Sequence, residues 1–247
     1  PALMHERIDF FDNYVHYFTV QAPHKILTIT AISDLDIHYL SPQSQMTSPP
    51  WEQVRDSLTT DTTAAGLSAR AFILASPFIT PNAVLADYAQ SSFTPQRPLL
   101  EAVLELTQRI YSEFTYDAQF STIATPLAEV LEHRRGVCQD FAHLAIACLR
   151  TQGLAARYVS GYLETLPPPG QAKLRGVDAS HAWFSVYIPQ QGWIDFDPTN
   201  NQMITEQYIT TAWGRDYNDV TPLKGIIFGG GSEHRLEVAV DVERLAS

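Results

Sequence analysis

The hydrophobic period of this chain changes from that of a helix to that of a strand near residue 155, and this change fixes the fold class. Before it, "EHRRGVCQDFAHLAIACLR" (132–150) puts Phe141, Leu144, Ala145, Cys148 and Leu149 on one face at helical spacing. After it, "AARYVSGYL", "HAWFSVYI" and "GWIDFD" alternate with a period of two, and "EHRLEVAVDV" reads as a further strand. Helices first and strands afterwards predict an α+β domain with an antiparallel sheet.

Upstream of the cysteine segment the pattern is also helical. "SPPWEQVRDSL" offers Ser48 as an N-cap, and "TPLAEVLEHR" offers Thr125 as a cap with Pro126 at the first helical position. "PLLEAVLELTQRIYSEF" sets Leu99, Val103, Leu106 and Ile110 on one helical face. Residues 7–40 differ. "NYVHYFTV" and "KILTITAISDLDIHYL" are rich in β-branched and aromatic residues and read as strands. The break "SPQSQMTSPP" therefore divides a β-rich segment, residues 1–45, from a larger domain, residues 46–247.

Composition narrows the function classes. With 16 basic against 27 acidic side chains the net charge is −11, which repels nucleic acid and anionic lipid, so neither is an expected partner. No apolar run approaches the roughly 18–20 residues of a membrane span. The start, "PALMHERIDFF", lacks the layout of a secretion signal, and it lacks an initiator methionine, as a truncated or processed piece would. The two cysteines, Cys138 and Cys148, lie ten residues apart. On one helix that is ~15 Å of rise, beyond the ~7 Å Cα separation of a disulfide. Free thiols without a signal predict a cytoplasmic setting. Two cysteines do not supply a zinc site, Gly229–Gly231 lack the Lys–Ser/Thr of a phosphate loop, and "DYNDV" lacks the spacing of a calcium loop, so no metal and no cofactor is expected.

Cys138 stands just after Gly136, which ends the preceding helix or supplies its turn, at the first turn of the next helix. There, free backbone N–H groups and the positive end of the dipole favour a thiolate and can bind a developing oxyanion. Arg134 and Arg135 read as dipole partners of the helix before it, and Asp140 opposes a thiolate. Such a thiol needs a base. Of the eight histidines, His5, His16, His24 and His38 lie in the N-terminal strands, His133 and His143 flank the cysteine, with His143 pointing largely away on the helix, and His181 and His234 sit at strand starts. His181 shares a strand face with Trp183, Ser185 and Tyr187, opposite the apolar Ala182, Phe184, Val186 and Ile188. The hairpin partner "GWIDFDPTN" carries Asp195 and Asp197 on one face, and alternation alone leaves both open as the acid that orients His181.

"RRGVCQDFAHLAIACLRTQGLAARYVSGYL" followed by "SHAWFSVYIPQQGWIDFDPTN" resembles the transglutaminase-like superfamily, closely its bacterial branch. The resemblance extends to "FTYDAQFST" and "TPLAEVL" before the cysteine and to "WGRDYNDVTPLKGIIFGGG" after the triad, and residues 7–40 resemble the end of the bacterial N-terminal β-domain. It implies a papain-like fold with Cys138 as nucleophile, His181 as base and Asp197, of the D-P-T element, as orienter. It further implies a thioester intermediate and a protein or peptide substrate with an amide bond. Tyr116, Gln139 and Trp183 are candidate oxyanion or cleft residues. Amide hydrolysis is the expected reaction, protein-glutamine acyl transfer the alternative, and a non-catalytic scaffold the alternative of another class. "LETLPPPGQAKLRGVDAS", just before His181, is a candidate border of the cleft.

Overall fold

The computed structural model describes residues 3–37, 47–166, 178–229 and 235–245. It divides into two compact units, Pro1–Tyr39 and Leu40–Ser247. His38, His234, Gly230, Gly231, most of "SPQSQMTSPP" and most of the stretch before His181 lie outside the described residues.

In the first unit β1 (Leu3–Ile8) and β2 (Tyr14–Thr19) form an antiparallel hairpin. Its turn is tied by the Asp9 carboxylate, which accepts from the backbone N–H of Phe11 at 2.7 Å and of Asn13 at 2.9 Å. The strand expected over residues 25–37 is not formed: these residues carry no ladder, and Ile26 and Ile32 are 82% and 88% exposed. Alternation gives the face a strand would bury, but a strand also needs a partner for its backbone groups.

The second unit begins with α1 (Trp51–Thr60), α2 (Ala64–Arg70), α3 (Ala83–Gln90) and α4 (Leu99–Glu113). The face read from the sequence of α4 is buried, Leu99, Val103, Leu106 and Ile110 all reaching the core. Pro50, not Ser48, occupies the N-cap of α1. The Ser48 hydroxyl instead accepts from Leu100 N–H at 2.8 Å, so it serves the first turn of α4 across the fold. Similarly, Thr125 is held in a turn, its hydroxyl accepting from Thr122 N–H at 2.9 Å, and Pro126 is the cap residue of α5 (Leu127–His133). Among the described residues no helix is long and apolar enough to cross a membrane.

Next come β3 (Thr115–Tyr116), which pairs in parallel with β4 (Arg135–Gly136), and then α6 (Cys138–Thr151). Five strands follow: β5 (Ala156–Leu163), β6 (Ala179–Ile188), β7 (Gly192–Asp197), β8 (Gln202–Met203) and β9 (Tyr208–Gly214), antiparallel in the order β8-β7-β6-β5-β9. The C-terminal strand expected over "EHRLEVAVDV" is reduced, among the described residues, to a single bridge between Val240 and Asp178. Asp178 accepts from Val242 N–H at 2.7 Å, and Arg244 pairs with Glu164. These side-chain ties replace a ladder.

The core lies between α6 and one sheet face. Tyr158, Ala182, Phe184, Val186, Ile194 and Phe196 pack against Leu144, Ala145, Cys148 and the α4 stripe. Fully burying a side chain of this size contributes ~1.5–3 kcal/mol, so this packing fixes how helix and sheet meet. At the far end of α6 the buried Arg150 donates to Phe72 O, Ser76 Oγ, Ala156 O and Arg215 O, which satisfies its guanidinium away from water.

Candidate active site

Cys138 is the first residue of α6 and is half-buried. Three features fix the turn that presents it. Arg134 closes α5 in the left-handed region at φ 53° and therefore supplies the turn expected of Gly136. Gly136 acts differently, by leaving room. A Cβ there would lie 2.8 Å from the Asp140 side chain, so only glycine lets Asp140 approach. Asp140 uses that approach to accept from Val137 N–H at 2.8 Å, capping α6, while Ser121 donates to the same oxygen. Burial raises the Asp140 pKa and these two donors partly offset it. Its carboxylate is thus engaged in the cap.

His181, in β6, is nearly buried. Its Nε2 lies 2.7 Å from Asp197 Oδ2 on the neighbouring β7. Cys138 also acts on the imidazole, as a hydrogen-bonding and charged neighbour that raises its pKa. With Nε2 committed to Asp197, Nδ1 is the nitrogen left for the thiol. Burial alone would lower the His181 pKa, but the hydrogen bonds and charges of Asp197 and Cys138 outweigh it and raise the value to about 10. Asp197 moves oppositely. Burial would raise it, whereas His181, Tyr208 and Asn200 together hold it below the usual carboxylate range.

The choice left open by alternation is resolved by position. Asp197 meets His181, while Asp195 accepts from Ser185 Oγ and is felt by Arg157, with burial raising its pKa. Arg157 lies between the rings of Trp193 and Trp213, at 4.5 and 4.6 Å from their centroids. The remaining candidates differ in placement. Tyr116 is exposed in β3, in register with Gly136, with burial, Cys138 and Asp140 raising its pKa. Gln139 is half-buried beside Cys138. Trp183 is fully buried, its ring centroid 6.2 Å from His181 and 5.4 Å from Tyr208, so it supports these rings from behind.

Other titratable groups have structural partners. His143 accepts from Tyr217 N–H at 3.1 Å and is pushed down to about 3 by burial and Arg150. Burial pushes the Cys148 thiol up to about 12. Arg134 pairs with Glu113 and covers Tyr88 and Phe114, and Arg135 pairs with Asp117. Sequence reasoning missed Asn200, Tyr208 and Tyr158. The first adjoins the D-P-T element, and the second opens a strand with no motif of its own. The third lies on the core face of β5 and has its pKa raised well above the usual range by burial, then by Cys138 and other nearby groups.

A family model described as the transglutaminase-like superfamily matches residues 86–198, a span that includes Cys138, His181 and Asp197. An uncharacterised protein of Mycobacterium tuberculosis is 46% identical over 254 residues, covering 98% of this chain and 78% of that protein. A protein-glutamine gamma-glutamyltransferase of Pseudomonas aeruginosa is 37% identical over 123 residues, 47% of this chain and 17% of that protein. Among solved structures, one described as a candidate cysteine protease from Cytophaga hutchinsonii is 30% identical with a TM-score of 0.54, over 65% of this chain and 50% of that one. The chain thus spans half the length of that structure. With the helix-then-sheet order and the α+β, papain-like core in agreement, this chain belongs to the transglutaminase-like superfamily.

Proposed function

We propose that this protein is a cysteine-dependent amide hydrolase, with Cys138 as nucleophile, His181 as general base and acid, and Asp197 as orienter. The observation that carries the reading is one imidazole 2.7 Å from a buried carboxylate, with Cys138, at the start of α6, among the groups that raise its pKa. His181 takes the thiol proton, and Asp197 stabilises the resulting imidazolium. The thiolate adds to the amide carbonyl, and the carbonyl oxygen becomes an oxyanion. The first N–H groups of α6, that of Cys138 among them, are its donors, with Tyr116 or Gln139 as a further candidate. The C–N bond then breaks, His181 gives its proton to the leaving amine, and the acyl group remains on sulfur as a thioester. Water, losing a proton to His181, attacks the thioester and frees the acid and the thiol. In this reading residues 46–247 are the catalytic domain and residues 1–45 belong to a β-rich N-terminal domain.

A second reading, transfer of a glutamine acyl group to an amine, is favoured by the stretch shared with the Pseudomonas aeruginosa gamma-glutamyltransferase. Glutamine peptides with and without an added amine separate the two. Ammonia release without amine incorporation supports hydrolysis, incorporation supports transfer, and peptide cleavage without ammonia supports a peptidase. Alkylation of Cys138, followed by peptide mass spectrometry, tests the shared chemistry. Rapid labelling at about pH 6 that is lost in His181→Ala is the expected result. Labelling unchanged by that substitution overturns the triad and leaves a scaffold role.

A further inference from the structure

We propose that Tyr208 is a positioning residue of this site, its phenol holding the Asp197 carboxylate in the orientation that His181 requires. The inference rests on the reading of Cys138, His181 and Asp197 as a triad. Asp197 Oδ2 is shared by three side chains: His181 Nε2 at 2.7 Å, Tyr208 O–H at 2.6 Å and Asn200 Nδ2 at 2.6 Å. Oδ1 accepts from the backbone N–H of Thr199 at 2.8 Å and of Asn200 at 3.3 Å. The backbone pair fixes where the carboxylate starts, whereas its rotation toward His181 is set at Oδ2. There, besides His181 itself, Tyr208 is the donor that comes from another strand.

The direction of that hydrogen bond follows from the phenol's other partners. Gln202 Nε2 donates to the Tyr208 oxygen at 2.7 Å, and Asn200 Nδ2 lies 3.5 Å from it. With those amides donating in, the phenol's own proton goes to Asp197, giving a relay from Gln202 through Tyr208 to the carboxylate. Burial and the Asp197 charge hold the Tyr208 pKa far above the ordinary phenol value, so the group remains a neutral donor. Tyr208 reaches this position from the edge strand β9, because Gly161 on the intervening β5 leaves space. A Cβ at Gly161 would sit 2.1 Å from Ile209 O and 2.4 Å from the Trp183 ring. Trp183 fills that space and meets Tyr208 edge-on.

Tyr208→Phe keeps the ring and removes only the O–H. The titratable groups facing Asp197 are His181 from β6 and Tyr208 from β9, with Cys138 from α6 facing His181. Losing one donor makes Asp197 protonate at higher pH. The acid limb of Cys138 alkylation should therefore move upward by about one pH unit, the scale of one charge-assisted hydrogen bond. The low-field NMR resonance of the His181 Nε2 proton should shift as well, while the circular dichroism spectrum stays that of the wild type. Gln202→Ala, which leaves Asp197 untouched, should move both readouts in the same direction by less, and it decides the matter should Tyr208→Phe not fold. Profiles and resonances superimposable on the wild type overturn the proposal. His181→Ala in the same assay keeps the two ideas apart. Labelling lost there but unaltered in Tyr208→Phe refutes only the role of Tyr208, whereas labelling unaltered in His181→Ala refutes the triad.

Discussion

Raising the pH from 6.5 to 10 should remove a defined part of the folding free energy, and His181 is the group through which it is lost. In the folded protein its pKa is raised from the ordinary 6.5 to about 10, because Asp197 and Cys138 favour the imidazolium more than burial opposes it. A group held above its unfolded value contributes fully below that value, and the contribution disappears as pH rises through the folded one. Each pH unit between the two is worth about 1.4 kcal/mol, so the whole span comes to on the order of 5 kcal/mol. The assay is urea unfolding of the wild type and His181→Ala across this range. Tyrosines and lysines titrate alike in both proteins, so the difference between the two slopes reports the Cys138–His181 pair. Cys138→Ala removes one of the two raising partners and should lose an intermediate amount. Parallel slopes in wild type and His181→Ala would refute the argument, since they mean that the imidazole has no special partner in the folded state. The acidic end carries the opposite sign. Asp197 is held below the ordinary carboxylate range, so its contribution is present above the unfolded value and declines as pH falls through the folded one.

Gly161→Ala should lower the melting temperature sharply, because its Cβ meets Ile209 O at 2.1 Å with the Trp183 ring on another side. Overpacking of this kind costs ~1–3 kcal/mol even where side chains can yield, and an unchanged melting curve would show that β5 and β9 are not so close. Asp140→Ala removes the acceptor that caps Val137 N–H and costs about 1–3 kcal/mol. A lower urea midpoint together with slower Cys138 alkylation is expected, and an unmoved midpoint would mean that the α6 N-terminus is held by something else.

The parts of the fold legible in the sequence are those that repeat along the chain. The stripe of Leu99, Val103, Leu106 and Ile110, the apolar face of α6 and the alternation in β6 each declare their element by period, and each is buried as that period requires. Errors fall where one residue decides alone. Ser48 has the chemistry of a cap, but nothing local says that it caps α4 and not α1. Gly136 reads as a turn because glycine permits one, yet the left-handed residue is Arg134, and the glycine instead makes room for Asp140. The N-terminal alternation suggests a strand over 25–37 without naming a partner to pair with. Asp195 and Asp197 share a face and differ only in what lies across the sheet, which alternation does not encode. Tyr208 is invisible in the sequence for a similar reason. It stands outside the motif, and its approach to Asp197 depends on an absent side chain at Gly161.

The two halves of the candidate site are each held by more ties than one, and they are joined through the core. On the helix side the left-handed turn at Arg134, the bare Gly136 and the Asp140 cap all act on the residues next to Cys138. On the sheet side five donors grip Asp197, and Trp183 and Tyr208 flank the His181 ring. Between the halves stand the influence of Cys138 on the His181 pKa and the packing of α6 against β5 and β6, through residues such as Leu144, Tyr158, Ala182 and Phe184. A close-packed core transmits displacement because it has few voids to absorb it. A change of volume beneath α6 therefore alters the reach from thiol to imidazole while leaving both halves intact. Leu144→Ala should thus be a variant in which the His181–Asp197 bond persists but Cys138 loses its reactivity. Its His181 Nε2 proton resonance should remain while its alkylation slows. Loss of both signals together would mean that the sheet half depends on the helix for its order.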